Sequence, residues 1–250
     1  MGLEAITARL RRALAHLPLA PPVAYAYNPL AYARAPYEAY LQSFGSAPRE
    51  VVLLGMNPGP WGMAQTGVPF GEVAAVRDWM GIRGPVAKPV PEHPKRPVTG
   101  FACPRSEASG RRLWAWARRV GGTAQVFFAR FFVANYCPLM FLDQAGRNIT
   151  PDKIPVKMRR PLATICDQAL RDTLVYLAPR FAIGIGNYAA ERMRAAADGL
   201  DLVPGRITHP SPANPRANRG WEARIMEELR QIGVEVSVMP QGGIRSKESP

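Results

Sequence analysis

Val51-Val52-Leu53-Leu54-Gly55-Met56-Asn57-Pro58-Gly59 decides the fold of this chain. Four apolar residues in a row, two of them β-branched, end at glycine and proline, which is the pattern of a short strand buried on both faces. Gly55, Pro58 and Gly59 hold the backbone that follows in tight turns, so the Asn57 amide is presented at the strand's carboxyl end. Ligands bind at that edge in open α/β sheets. Gly205-Arg206-Ile207-Thr208, followed by His209-Pro210-Ser211-Pro212, offers an imidazole in the same way.

Reading outward, residues 126–133 are rich in phenylalanine and valine and predict a buried strand that ends at Ala134-Asn135-Tyr136-Cys137-Pro138. Residues 180–186 and 202–208 predict two further strands. Helical spacing places Leu3, Ile6, Leu10 and Leu14 on one face. It predicts helices over 37–44, 156–177, 187–197 and 221–232, and another capped by Ser106 that carries Leu113, Trp114 and Trp116. Strands alternating with helices imply an α/β fold with a mainly parallel sheet. Prolines exclude a regular helix across 18–36, a turn falls at 143–152, and the weakly periodic 58–110 reads as a functional loop. No repeat or interior linker divides the chain, which predicts one domain over 1–238 and a flexible tail over 239–250.

Of the 250 residues, 47% are hydrophobic, enough for one buried core, and no apolar run is long enough to cross a membrane. Thirty-two Lys and Arg against 19 Asp and Glu give a net charge of +13, which favours polyanions, although a generally basic surface or an anionic membrane accounts for it equally. Cys103, Cys137 and Cys166 are odd in number and lack CxxC spacing, so we expect no disulfide framework, a reducing intracellular setting and no metal.

Three segments together narrow the reading. Gly55-Met56-Asn57-Pro58-Gly59-Pro60 continues through Gly62-Met63-Ala64-Gln65-Thr66-Gly67-Val68-Pro69-Phe70-Gly71-Glu72; Asn135-Tyr136-Cys137-Pro138-Leu139 comes next; His209-Pro210-Ser211-Pro212 closes with Asn214-Pro215 and Ala217-Asn218. In this order they resemble the single-strand-selective monofunctional uracil-DNA glycosylases, within the wider uracil-DNA glycosylase superfamily. The resemblance spans residues 55–218. It implies a single domain with a central four-stranded parallel sheet flanked by helices. It also implies base flipping and hydrolytic release of uracil, with 5-hydroxymethyluracil, from DNA in base excision repair, by a monomer without a cofactor, in the cytoplasm or nucleoid of a bacterium or the nucleus of a eukaryote. Broader excision of xanthine and hypoxanthine, and damaged-DNA binding without turnover, are the competing readings.

By the same resemblance Asn57 positions the attacking water, and His209 stabilises the negative charge that gathers on the leaving base. Asn135 reads the uracil edge, Phe70 stacks on the flipped base, and the Met56 backbone and Gly59 form the wall near C5. An amide cannot take a proton as a carboxylate can, so Asn57 is not a strong base. Pro210, Ser211, Pro212, Ala213 and Asn214 would form a wedge entering the DNA, with Arg216 and Arg219 as phosphate contacts. Ala213 stands where relatives commonly carry a basic residue. Glu72 is read as a structural hydrogen-bonding residue. No lysine falls in these segments to form a Schiff base, which implies a monofunctional enzyme.

Overall fold

The apolar run at Val51 becomes the central strand of a four-stranded parallel sheet. In the computed structural model, which describes residues 1–238, helices α1 (Leu3–Leu14), α2 (Pro29–Tyr32), α3 (Arg34–Phe44), α4 (Met63–Thr66), α5 (Ala108–Gly121), α6 (Ala124–Arg130), α7 (Val156–Leu177), α8 (Asn187–Ala197) and α9 (Trp221–Ile232) surround two sheets. The strands are β1 (Tyr25–Tyr27), β2 (Val51–Gly55), β3 (Phe131–Asn135), β4 (Met140–Leu142), β5 (Asn148–Ile149), β6 (Phe181–Ile185) and β7 (Val203–Ile207). The main sheet has the order β3-β2-β6-β7, all parallel, and the second is an antiparallel β1-β4-β5. The chain therefore makes a single α/β domain. The tail expected over 239–250 lies outside the described residues.

Burial explains the strand sequences. Every residue of β2 and β6 is buried, as their uninterrupted apolar runs require of strands covered on both faces. Edge strand β7 carries Pro204, whose missing N–H is tolerated at a free edge. From β2 the chain crosses to its neighbour β3, whereas from β6 it continues outward to β7. The connections thus diverge between β2 and β6 and open a crevice at the carboxyl edge.

An aromatic core packs α3 and α6 against β3. Phe44 stacks on Phe128 with ring centroids 4.1 Å apart, and Phe127 on Phe131 at 4.7 Å. The buried Tyr40 hydroxyl donates to the Val133 carbonyl at 2.8 Å, pinning α3 to the sheet. α1 packs on α7 through the apolar face read from sequence, with Leu3, Ile6 and Leu14 buried. Among the described residues no helix is long and apolar enough to cross a membrane.

The helices expected over 156–177, 187–197 and 221–232 form with those bounds. Other elements differ from expectation. Residues 126–133 split into the end of α6 and the start of β3, because the Thr123 side chain accepts the Val126 N–H at 3.3 Å and caps a helix that extends to Arg130. The helix expected over 37–44 begins at Arg34, with Pro36 in its first turn, where no intrahelical N–H is required. Ser106 does not cap α5: Glu107 occupies the cap position and makes no capping hydrogen bond. The 143–152 turn contains β5, part of the antiparallel sheet that sequence reading did not anticipate.

The long 58–110 segment is organised around the buried Gln65. Its amide donates to the carbonyls of Pro60 and Pro97 at 2.9 and 3.0 Å and accepts from the N–H groups of Thr99 and Gly100 at 2.9 and 3.2 Å. Four satisfied bonds to one buried side chain fold the loop back on itself.

Where α8 crosses β6, a Cβ placed on Gly184 would lie 2.1 Å from the Ala190 backbone nitrogen. Gly184→Ala must push helix from sheet, and we expect a loss of about 1–3 kcal/mol in stability, read by thermal unfolding.

Candidate active site

The parallel pairing of β2 with β3 sets Gly55 beside Asn135. It continues past both strands, because the N–H groups of Tyr136 and Cys137 donate to the carbonyls of Gly55 and Met56, each at 2.9 Å. The first two sequence segments are thereby zipped into one wall. A Cβ on Gly55 would lie 2.4 Å from Asn135 Oδ1 and 2.5 Å from Phe70 Cε2, so only glycine lets these two side chains meet over the strand end. Asn135 Nδ2 reaches the Met63 sulfur at 3.2 Å, a weak acceptor that a ligand oxygen readily replaces.

Phe70 takes a left-handed backbone conformation, φ 52°, which costs about 1–3 kcal/mol for a non-glycine residue and concentrates at functional sites. Its carbonyl accepts the Trp114 indole N–H at 2.8 Å, and Thr66 Oγ1 donates to the Gly71 carbonyl at 3.0 Å. Glu72 accepts the Ala75 N–H at 2.9 Å, the structural role read from sequence. The ring is held 6.3 Å from the His209 ring, centroid to centroid.

His209 is positioned from below and from behind. Glu228 accepts both the N–H and the hydroxyl of Thr208, at 2.6 and 2.7 Å, and Trp221 Nε1 donates to the Thr208 carbonyl at 2.7 Å. Nδ1 accepts the Ser211 N–H at 3.1 Å, so the neutral ring carries its proton on Nε2. Although one edge meets the pocket, the surrounding protein desolvates the ring, and burial pulls its pKa down to about 4. At neutral pH His209 is therefore an uncharged Nε2–H donor.

Met56, Asn57, Gly59, Phe70, Asn135, His209 and Ser211 line one pocket of about 310 Å³. Among the residues expected to bind DNA, Pro210 and Pro212 lie in the loop beyond it, while Ala213, Asn214 and Arg216 line an adjoining cleft with Arg206. Arg219 lines neither and sits by Ala223 and Arg224 at the start of α9. The loop carrying these residues is internally braced. Asn214 Nδ2 donates to the His209 carbonyl at 3.2 Å and Asn218 Nδ2 to that of Pro212 at 2.9 Å, while Arg112 donates to the Pro210 carbonyl at 2.9 Å and to Asn218 Oδ1 at 3.0 Å.

The pocket also contains Glu107, Ser109, Asn148 and Thr150, which the sequence did not single out. Glu107 is visible in sequence only as an acid before a helix, while Asn148 belongs to the unanticipated antiparallel sheet and Thr150 directly follows it. Burial, with Glu72 nearby, pushes the Glu107 carboxyl up to about 7.

A narrow pocket with one aromatic face, a forked amide and a neutral imidazole donor suits a flat, uncharged heterocycle with carbonyl and N–H edges. Comparison with known proteins decides the lineage, since the profile of the uracil DNA glycosylase superfamily matches residues 42–230. The chain belongs to that superfamily. It is 47% identical over 239 residues, 95% of this chain and 86% of the relative, to the single-strand selective monofunctional uracil DNA glycosylase of Mus musculus. Identity to the Bos taurus protein of the same name is 47% over 228 residues, covering 90% of this chain and 84% of that one. The crystal structure of Pedobacter heparinus SMUG2 shares the fold, with a TM-score of 0.63 over 92% of this chain and 99% of that one at 16% identity.

The low pKa of His209 has a consequence for this superfamily member's stability. Between its ordinary value of 6.5 and the folded value of about 4, the unfolded chain binds the proton first. Its stabilising effect is complete above pH 6.5 and is lost as pH falls toward 4. The stability of the native chain relative to His209→Ala should therefore decline by up to about 3 kcal/mol across that window, measured by denaturant unfolding at each pH.

Proposed function

We propose that this chain hydrolyses the N-glycosidic bond of uracil in DNA, leaving an abasic site for base excision repair. The observation that carries this reading is the convergence of Asn57, Phe70, Asn135 and His209 on one pocket, in a chain 47% identical to proteins named as uracil DNA glycosylases.

A base stacked in a duplex cannot reach a pocket at a sheet edge, so the nucleotide is extruded into it. The uracil lies on Phe70. Asn135 donates to O4 and accepts from N3–H; cytosine reverses both demands and would strand buried polar groups at about 1–3 kcal/mol each. As the bond to C1′ breaks, charge accumulates on the base, and the His209 Nε2–H lies preorganised to meet it at O2. A neutral donor suits this task because it leaves no buried cation to solvate in the empty pocket. Asn57 holds the water on the sugar side.

Among the described residues no lysine lines the pocket, which supports hydrolysis without a covalent sugar intermediate. The Met56 backbone and Gly59, with the Glu107 carboxyl packed against it, form the wall beside C5, and 5-hydroxymethyluracil is accepted there. Pro210, Ser211, Pro212, Ala213 and Asn214 fill the space left by the extruded nucleotide, and Arg216 and Arg219 contact phosphates. The protein acts as a monomer inside the cell, on single- or double-stranded DNA.

Incubation with a uracil-containing oligonucleotide should release free uracil and leave the strand intact until alkaline treatment. Asn57→Ala and His209→Ala should each slow release by about 10²–10³-fold. No uracil from either strand form would refute the assignment. A panel with xanthine and hypoxanthine measures breadth.

Gly55→Ala should cost at least as much activity as losing Asn135. Its Cβ would displace the reading amide and the stacking ring together, and uracil release under single-turnover conditions checks this.

A further inference from the structure

Glu107 departs from what its position in sequence would ask of it. At the cap position of α5 its carboxylate could accept the free N–H groups of the first turn, yet it makes no capping bond. Instead it turns into the pocket and lies against the backbone of the Asn57 loop. A Cβ on Gly59 would fall 2.6 Å from Oε2, and one on Gly62 would overlap it. These two glycines make room for the carboxyl. Oε2 is buried and has no hydrogen-bond partner among the described residues.

The charges around Glu107 do not neutralise it. Glu72, from the segment behind Phe70, faces it and raises its pKa further. Arg105 is stacked over the Trp61 ring at 4.4 Å, with Arg96 over the same ring at 5.6 Å. Arg112 is engaged with the wedge loop, and Arg111 is exposed. Across the pocket His209 is neutral.

The reaction assigned above requires a destination for a proton. When water adds to C1′, one hydrogen must leave it. The Asn57 amide cannot take it. His209 cannot either, because Nδ1 is occupied by the Ser211 N–H and Nε2 already bears hydrogen. Asn135, Asn148, Ser109, Ser211 and Thr150 are not bases at neutral pH, so among the described residues one lining side chain remains.

We propose that Glu107 is a further catalytic residue, which shares the attacking water with Asn57 and accepts its proton. This rests on the uracil-releasing reading. In the step, the C1′–N1 bond breaks and its electron pair stays on the base, held by His209. The water oxygen bonds to C1′, and one water proton passes to the Glu107 carboxylate. The products are a C1′ hydroxyl, a uracil anion and a neutral Glu107, which returns its proton to solvent or to the departing base. Glu107 and Asn57 line the same pocket, and the Glu107 carboxyl packs against Gly59 in the loop that carries Asn57.

The test is single-turnover uracil release by the full chain between pH 5 and 9, with native protein and Glu107→Gln, alongside thermal unfolding of each. The native rate should rise about tenfold per pH unit below pH 7 and flatten above. Glu107→Gln should lose that rise and run about 10²-fold slower at pH 8, with KM little changed. It should also melt at an equal or higher temperature at pH 8, since the amide has no charge to desolvate; a merely structural glutamate would lower both. A variant within twofold of the native rate at pH 8, or one that keeps the acid limb, overturns the proposal. If the variant does not fold, the native profile decides, with a limb near pH 7 supporting the proposal and a flat profile between pH 6 and 8 overturning it. His209, titrating near 4, cannot produce such a limb. Absence of uracil release by native protein would instead sink the uracil reading itself.

Discussion

The pairing that puts Gly55 beside Asn135 governs the site, because it determines which side chains can meet at the sheet edge. Shifting a strand by one residue would turn every side chain to the opposite face, so the amide of Asn135 would leave the pocket. The two backbone bonds from Tyr136 and Cys137 prevent such slippage by carrying the pairing into the loops. With that wall in place, the bare Cα of Gly55 admits the Phe70 ring, and Phe70 in turn needs the strained backbone that Trp114 holds through its carbonyl. The strain, of about 1–3 kcal/mol, is retained because the surrounding bonds leave the chain no cheaper path.

The electrostatics divide the work between the surface and the pocket. The net charge of +13 acts at long range, where it attracts a polyanion and weakens as salt rises. Inside the pocket the lining is neutral apart from the Glu107 carboxyl among the described residues. A protonated histidine there would bind an anion in the ground state and gain less as charge develops. In the proposed reaction a neutral Nε2–H would strengthen its bond as the base becomes negative, which is differential stabilisation of the transition state.

Legibility in the sequence followed the range of the interactions. The turns around Asn57 and His209 could be read because glycine and proline act on adjacent backbone, whereas Phe70 was legible only through the resemblance of the segment that carries it. Residues 126–133 could not be divided correctly: phenylalanines and valines fit a buried strand and a buried helix alike, and the Thr123 cap settles the matter through a single bond. Three-residue β1 and β4 and two-residue β5 carry too little periodicity to be seen, so Asn148 and Thr150 remained hidden. Glu107 was out of reach for a different reason. The cap was read at its neighbour Ser106, and only the fold brings the distant Gly59 and Gly62 against the Glu107 carboxyl.

The loop proposed as a wedge shows how local bracing limits the weight of one residue. Ala213 lacks the charge expected at the tip, but nothing in the loop's shape depends on that side chain. Its path is set by Asn214 on the His209 carbonyl, Asn218 on the Pro212 carbonyl, and Arg112 bridging both ends from α5. Two prolines, Pro210 and Pro212, further reduce the conformations that the proposed entry into DNA would cost. A loop already held in one shape loses little entropy when it fills the space of an extruded base, whereas a basic tip adds a contact that salt screens. The same Arg112 ties this loop to the helix whose N-cap position Glu107 holds, so one helix braces the loop and borders the pocket.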